Sequence, residues 1–133
     1  QVMTENETLG EKAVSESVGM GSYSLDAHNA QRYVKADGFV QNEGDIGVHP
    51  KTPYSISYGS LIPKKEECQN LLVPVCLSAT HIAYGSIRME PVFMILGQST
   101  GVAANLAVKH DLAVQDVEIS ELQKILREQG QVL

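Results

Sequence analysis

The stretch Asn70–His110, NLLVPVCLSATHIAYGSIRMEPVFMILGQSTGVAANLAVKH, decides how the chain is read. It opens with an apolar run, Leu71 to Leu77, of strand length and bounded by polar residues, which predicts a buried strand. Small and polar residues from Ser78 to Arg88 predict a loop. Pro91 then stands where a first helical turn tolerates a missing N–H, so a helix is expected from about Met89 to His110. Gly97 and Gly101, four apart, share one face of that helix. Two absent side chains predict close approach of another backbone, partly offsetting a propensity cost of about 1 kcal/mol per glycine. The helix amino end, at Met89 and Glu90, offers unpaired N–H groups and partial positive charge. Such an end suits a phosphate or an electron-rich oxygen on a cofactor ring. The same spacing equally describes a close-packed core helix with no ligand, and both readings stay open.

Outward from this stretch the patterns shorten. Pro53–Pro63, PYSISYGSLIP, alternates, with Tyr54, Ile56 and Tyr58 on one face and Ser55 and Ser57 on the other, which predicts a strand. Gln31–Asn42, QRYVKADGFVQN, predicts a hairpin whose two β-favouring arms flank Asp37-Gly38, a dipeptide that accepts the positive φ of a tight turn. Its mixture of charged and apolar residues predicts an edge ribbon with one wet face. Val18–Asn29, VGMGSYSLDAHN, and Asn42–Pro53, NEGDIGVHPKTP, are rich in turn-forming residues and are expected to be loops, with Glu43 and Asp45 solvated. Residues 1–17 read as a frayed strand end and then a polar, weakly helical stretch, and Lys64–Glu67 as a solvated turn. At the other end Ser120 to Gln123 matches a capping box. Leu122, Ile125 and Leu126 make an apolar stripe, and Gly130 stands where a C-terminal cap would.

Composition narrows the function classes. A 133-residue chain with 43% hydrophobic and 20% charged residues is enough for one domain with a core. A net charge of −6 leaves no basic stripe for nucleic acid, so no such partner is expected. No Trp, five Tyr and two Phe leave few stacking platforms for sugars or bases. Cys68 and Cys76, eight apart, fit neither a disulfide framework nor a metal signature, and no metal is expected. Cys76, inside the apolar run, reads as a small buried hydrophobe. No window of about 18 apolar residues stands out, so no membrane span is expected.

Strand, polar loop and small-faced helix in that order close many dinucleotide-binding folds. The words VGMGSYSLDAHNAQRY, PYSISYGSLIPK and NLLVPVCLSATHIAYGSIRMEPVFMILGQSTGVAANLA extend the likeness over most of the chain, from about Val18 to Ala107. They resemble the C-terminal part of a bacterial family, the FAD-dependent oxidoreductases of the glutathione-reductase-like, two-segment FAD-binding fold. The branch is found in carbohydrate-utilising bacteria, and some of its members carry a xanthan-lyase label. The resemblance implies an α/β fold (an α+β fragment) with a mixed sheet. Residues 61–133 would supply the closing strand and helix of an FAD-binding, Rossmann-like domain, and residues 1–60 a β-ribbon from the substrate domain. Such enzymes begin with a G-x-G-x-x-G turn that holds the FAD pyrophosphate. Gly19 and Gly21 make a poor version of it, and a β-turn is expected there. The implied whole is therefore a longer enzyme, with FAD held by the parent and absent from the fragment. The missing N-terminal portion would be its partner, and homo-oligomers would form where excision bares apolar surface.

Carried over residue by residue, the resemblance places Ser78, Thr80, His81, Gly85 and Ser86 in the loop that passes the ribityl chain. Arg88, Met89 and Glu90 fall at the helix start facing the pyrimidine edge of the isoalloxazine. Arg88 is the cation for that electron-rich edge, and Gly85 lets backbone approach the cofactor. His81 is read as a cofactor contact, or as the group that moves a proton during substrate oxidation. Tyr58 faces flavin or substrate, or is a half-buried sheet tyrosine with a satisfied hydroxyl. Asp26 and His28 line the substrate side, or are local loop residues. One departure stands out: relatives usually read Ala-Gly and a charged residue where this chain has Pro74-Val75-Cys76. Either Ser78 or a water then holds the ribityl hydroxyls, or the cofactor geometry differs. The implied parent oxidises a small or sugar-derived substrate, and the fragment alone is inactive. The alternatives are a polysaccharide (xanthan) lyase, for which Tyr58, His81 and Arg88 are suitable types, and a non-catalytic carbohydrate-associated module.

Overall fold

The computed structural model describes residues 1–133. In chain order it contains α1 (Glu5–Thr8), β1 (Ser17–Gly21), β2 (Leu25–Ala27), β3 (Gln31–Val34), β4 (Val40–Glu43), β5 (Ile46–Val48), β6 (Tyr54–Ser57), α2 (His81–Ile87), α3 (Glu90–His110) and α4 (Ile119–Glu128). Short 3₁₀ turns occupy Tyr58–Ser60 and Val114–Asp116. The result is a mixed α/β domain of helices and short antiparallel strands, with β1 paired to β6, β2 to β5 and β3 to β4. The expected mixed sheet is absent; the one parallel contact is a bridge between Met3 and Ala79.

The core lies on α3. Val92, Leu96, Ser99, Thr100, Ala103, Leu106 and Ala107 are buried at helical spacing, as a core-facing stripe requires. Ile56 from β6, Val18 from β1, Ile87 from α2, and Leu122 and Leu126 from α4 close over it, all fully buried. Strand β1 crosses the helix closely: a Cβ at Gly19 would lie 2.7 Å from Ile95 Cγ2. The Ser99 hydroxyl, which donates to the Val18 carbonyl, completes that contact. The helix starts as expected, with Met89 as N-cap and Pro91 in its first turn, and ends at Asp111 in the left-handed region (φ 54°).

The helix glycines do not do what their spacing predicts. Gly97 and Gly101 are exposed, and a Cβ at either would meet nothing within 4 Å. They lie with Met94 (77% exposed) and Val108 (84%) on the face turned away from the core. The close approach comes from a glycine of the strand instead. By length and composition α3 is also apolar enough to cross a membrane, contrary to expectation. Its valines, leucines and alanines raise its hydropathy, and the buried stripe among them packs as a core helix does.

Several local expectations change for identifiable reasons. The strand at Leu71–Leu77 does not form, because Pro74 has no N–H for a ladder. The run instead follows the first 3₁₀ turn, Val73 N–H donating to the Leu61 carbonyl at 2.9 Å and Ser78 N–H to Ser60 at 2.8 Å. Only Leu77 is buried there, and Cys76 is exposed rather than internal. The loop at Ser78–Arg88 is mostly α2, started by Thr80, whose Oγ1 accepts from Ala83 N–H at 3.2 Å. Gly19 and Gly21 lie in β1 rather than a turn, and β2 and β5 also replace predicted loops. Helix α4 begins two residues early, because the Glu118 carboxylate, not Ser120, accepts the first N–H. It ends as expected at Gly130 (φ +86°), where Gly130 and Gln131 N–H groups close onto Arg127 and Leu126 carbonyls.

The hairpin matches its prediction in register and turn. Gln31 pairs with Glu43, Arg32 with Asn42, Tyr33 with Gln41 and Val34 with Val40, and Gly38 (φ +85°) takes the left-handed turn position. With β2–β5 at its base it makes one long ribbon standing off the body. All eight residues of β3 and β4 are exposed, so it has two wet faces rather than one.

Candidate functional site

Helix α2 lies against β2 at the base of the ribbon. Gly85 makes this possible: a Cβ there would sit 2.6 Å from the Asp26 carbonyl oxygen, which is backbone and cannot yield. The expected role of Gly85 is thus corrected, because the backbone it admits is β2 rather than a cofactor. Between the two elements opens a cleft of about 380 Å³. His81 reaches it from α2 and Arg88 from the C-cap of that helix, and Asp26, His28 and Asn29 from the ribbon. Arg88 Nη2 lies 3.3 Å from Asp26 Oδ2, an ion pair across the mouth with both partners part-exposed.

His81, Gly85 and Arg88 fall at i, i+4 and i+7, one face of a helix. That spacing was present in the sequence, and reading the segment as a loop concealed it. It also concealed Tyr84, which lines the cleft while its hydroxyl donates to the Val75 carbonyl at 3.0 Å. Asn29 gave no signal of its own and stands two residues past the end of β2.

The remaining predicted residues go elsewhere. Tyr58 is buried and its hydroxyl donates to the Val114 carbonyl at 2.7 Å, away from the cleft. Burial pushes its phenol up to about 12, so it is neutral and poorly suited to proton transfer near pH 7. Ser86 is fully buried, shares a 2.6 Å bond with the Tyr54 hydroxyl and donates to the Tyr23 carbonyl. Burial likewise raises the Tyr54 phenol, with the Ser86 contact opposing it. Thr80 is spent as the α2 cap and also bonds Glu5 at 3.4 Å. Ser78 is exposed but lines a separate groove with Ile62 and Val73.

Two residues, Arg88 and Met89, separate α2 from α3. Met89 N–H donates to the Ile87 carbonyl at 2.8 Å, so it is not a free donor as expected. The amino end of α3 has no side-chain cap, Glu90 is exposed, and a second groove of about 360 Å³ beside it is lined by Met20, Tyr23, Met89 and Pro91. This end therefore lies open between two grooves, with Arg88 on one side. The donors there suit the electron-rich edge of a flavin ring: the Arg88 guanidinium, the His81 imidazole and the Glu90 N–H, whereas Pro91 has no N–H and that of Val92 is bonded to the Met89 carbonyl. Ser86 and Thr80, bonded internally, do not take part in that fit. No side chains in the chain gather to bind a metal.

A family model described as "FAD dependent oxidoreductase" matches residues 1–126 of the chain. No curated protein and no solved structure matches it.

Proposed function

The chain belongs to the FAD dependent oxidoreductase family, and on that footing we propose that it forms the ring-and-substrate side of a flavin site. In this reading residues 61–133 close a Rossmann-like FAD-binding domain of the glutathione-reductase-like type, and the ribbon within residues 1–60 belongs to the substrate portion. The pyrophosphate is held by chain outside these residues. When bound, FAD supplies the two-electron acceptor for oxidation of a small molecule.

The observation that carries the proposal is convergence. His28, from a segment distant in sequence, meets His81 and Arg88 in one cleft beside the open end of α3. Arg88 and the Glu90 N–H, with the Met89 side chain beside them, are the groups that would hold the cofactor. Arg88, while paired with Asp26, still offers N–H donors to a neighbouring ring, and the α3 amino end adds partial positive charge beside it. His81 and His28 are placed to take or return a substrate proton, since each imidazole ring both donates and accepts. Tyr84 and the body of α2 close one side of the cleft against water.

The test is direct. The full-length enzyme should purify yellow or take up added FAD with the absorbance of oxidised flavin. Arg88→Ala should weaken flavin retention or lower the flavin potential by favouring the oxidised form. A colourless full-length protein that ignores added FAD would overturn the proposal.

A further inference from the structure

The cleft contains one side chain with a permanent positive charge, and that charge is already answered. Among its lining residues only Asp26 and Arg88 belong to the Asp, Glu, Lys and Arg types, and they face each other at 3.3 Å. The strand that carries Asp26 lies directly against Gly85, which keeps this carboxylate at the wall of the cleft. An entering carboxylate or phosphate would have to sit beside Asp26 or pull Arg88 from it. Either move sets like charges together or breaks an ion pair, and both weaken binding.

We infer that the cleft takes a neutral, polyhydroxylated small molecule, and that Asp26 is the residue that excludes its acidic counterparts. The inference rests on reading this cleft as the substrate side. A hydroxyl group both donates and accepts hydrogen bonds, and so needs partners of both kinds. Arg88 donates, Asp26 accepts, and Asn29, His28 and His81 do both, all on the walls of one cleft. The ring of Tyr84 gives an apolar flank for the C–H face of such a molecule. A volume of about 380 Å³ is at the small end of ligand sites, suited to a single small molecule. The same charge balance separates the chemistries left open by the sequence. A lyase acting on uronic acids needs a cation for the carboxylate, and the one permanent cation of this cleft is shared with Asp26.

Ligand-detected NMR titrations of the full-length enzyme decide the matter, using neutral alditols and aldoses against the matching aldonates and uronates. The neutral members should bind more tightly than their acids. Asp26→Asn, which releases Arg88, should raise the affinity of the acids about tenfold relative to the neutral compounds. Should Asp26→Asn not fold, Arg88→Gln leaves Asp26 unopposed and should depress the acids further relative to the neutral members. Acids that outbind neutral compounds in the wild type, no binding by any member, or a ratio unmoved by the folded variant would each overturn the inference. Flavin content, read by absorbance on the same preparation, reports separately on the oxidoreductase reading, because these titrations need no turnover.

Discussion

The body built on α3 and the ribbon formed by β2–β5 are held together by different forces. In the body, side chains from β1, β6, α2 and α4 meet on one helix stripe, and burial of apolar surface does most of the work. In the ribbon, β3 and β4 are exposed throughout, and cross-strand bonds such as Arg32 Nε to Asn42 Oδ1 at 2.8 Å maintain the register. A two-stranded hairpin is marginal alone in water. What steadies this one is its base, where β2 is pressed onto α2 across Gly85. The candidate cleft occupies that base. The site thus draws its residues from both parts, His81 and Arg88 from the body and Asp26 and His28 from the ribbon.

The contrast can be broken most forcefully in the core. Leu96→Ala should cost about 2–5 kcal/mol in denaturant unfolding, whereas Phe39→Ser at the ribbon tip, where the side chain is 71% exposed, should stay within about 0.5 kcal/mol. Comparable losses would mean that the ribbon is a structural partner rather than an appendage. Next comes the seam itself. Gly85→Ala should cost about 1–3 kcal/mol and disturb the Asp26–Arg88 pair, because the added methyl meets backbone. By contrast Gly97→Ala should gain about 0.5–1 kcal/mol, since its Cβ points into open space. A Gly97→Ala variant with a lower melting temperature would show that this face is covered rather than open.

A separate effect is set by pH, at α1. Burial opposes ionisation of Glu7, but Lys12 at 2.7 Å and the Thr4 hydroxyl and N–H outweigh it and lower its pKa from 4.5 to about 2. A lowered folded value means stability that is present above pH 4.5 and is lost as pH falls towards 2. Glu7→Gln should therefore be less stable than wild type near neutrality, and the two melting curves should converge in acid. A gap that persists at pH 2 would remove the ionised carboxylate from the account.

How much of this was legible follows from the range of each interaction. The Asp37-Gly38 turn, the α3 boundaries and the Gly130 cap depend on one or two residues and their neighbours, and they stand where the sequence placed them. The Thr4–Glu7 capping box was equally local and was passed over. Leu71–Leu77 looked like a strand because hydropathy does not register what a mid-run proline withholds from a ladder. The cleft was half legible. His81 and Arg88 were identified by resemblance, and His28 with Asp26 as neighbours of the substrate. Their meeting depends on Gly85 fitting β2, a contact 59 residues apart in sequence that no local pattern carries. Ser86 and Tyr58 were of the right types but were drawn into the core by the hydrogen-bond demands of buried hydroxyls.

Gly19 also constrains how this sequence can drift. Its missing side chain lets β1 settle against Ile95, whose branched Cγ2 is stiff and cannot swing aside. A methyl at position 19 becomes tolerable only if Ile95 gives up that branch, and a smaller residue at 95 alone would leave a void. Natural variation at these two positions should therefore move in tandem, the strand residue growing as the helix residue shrinks.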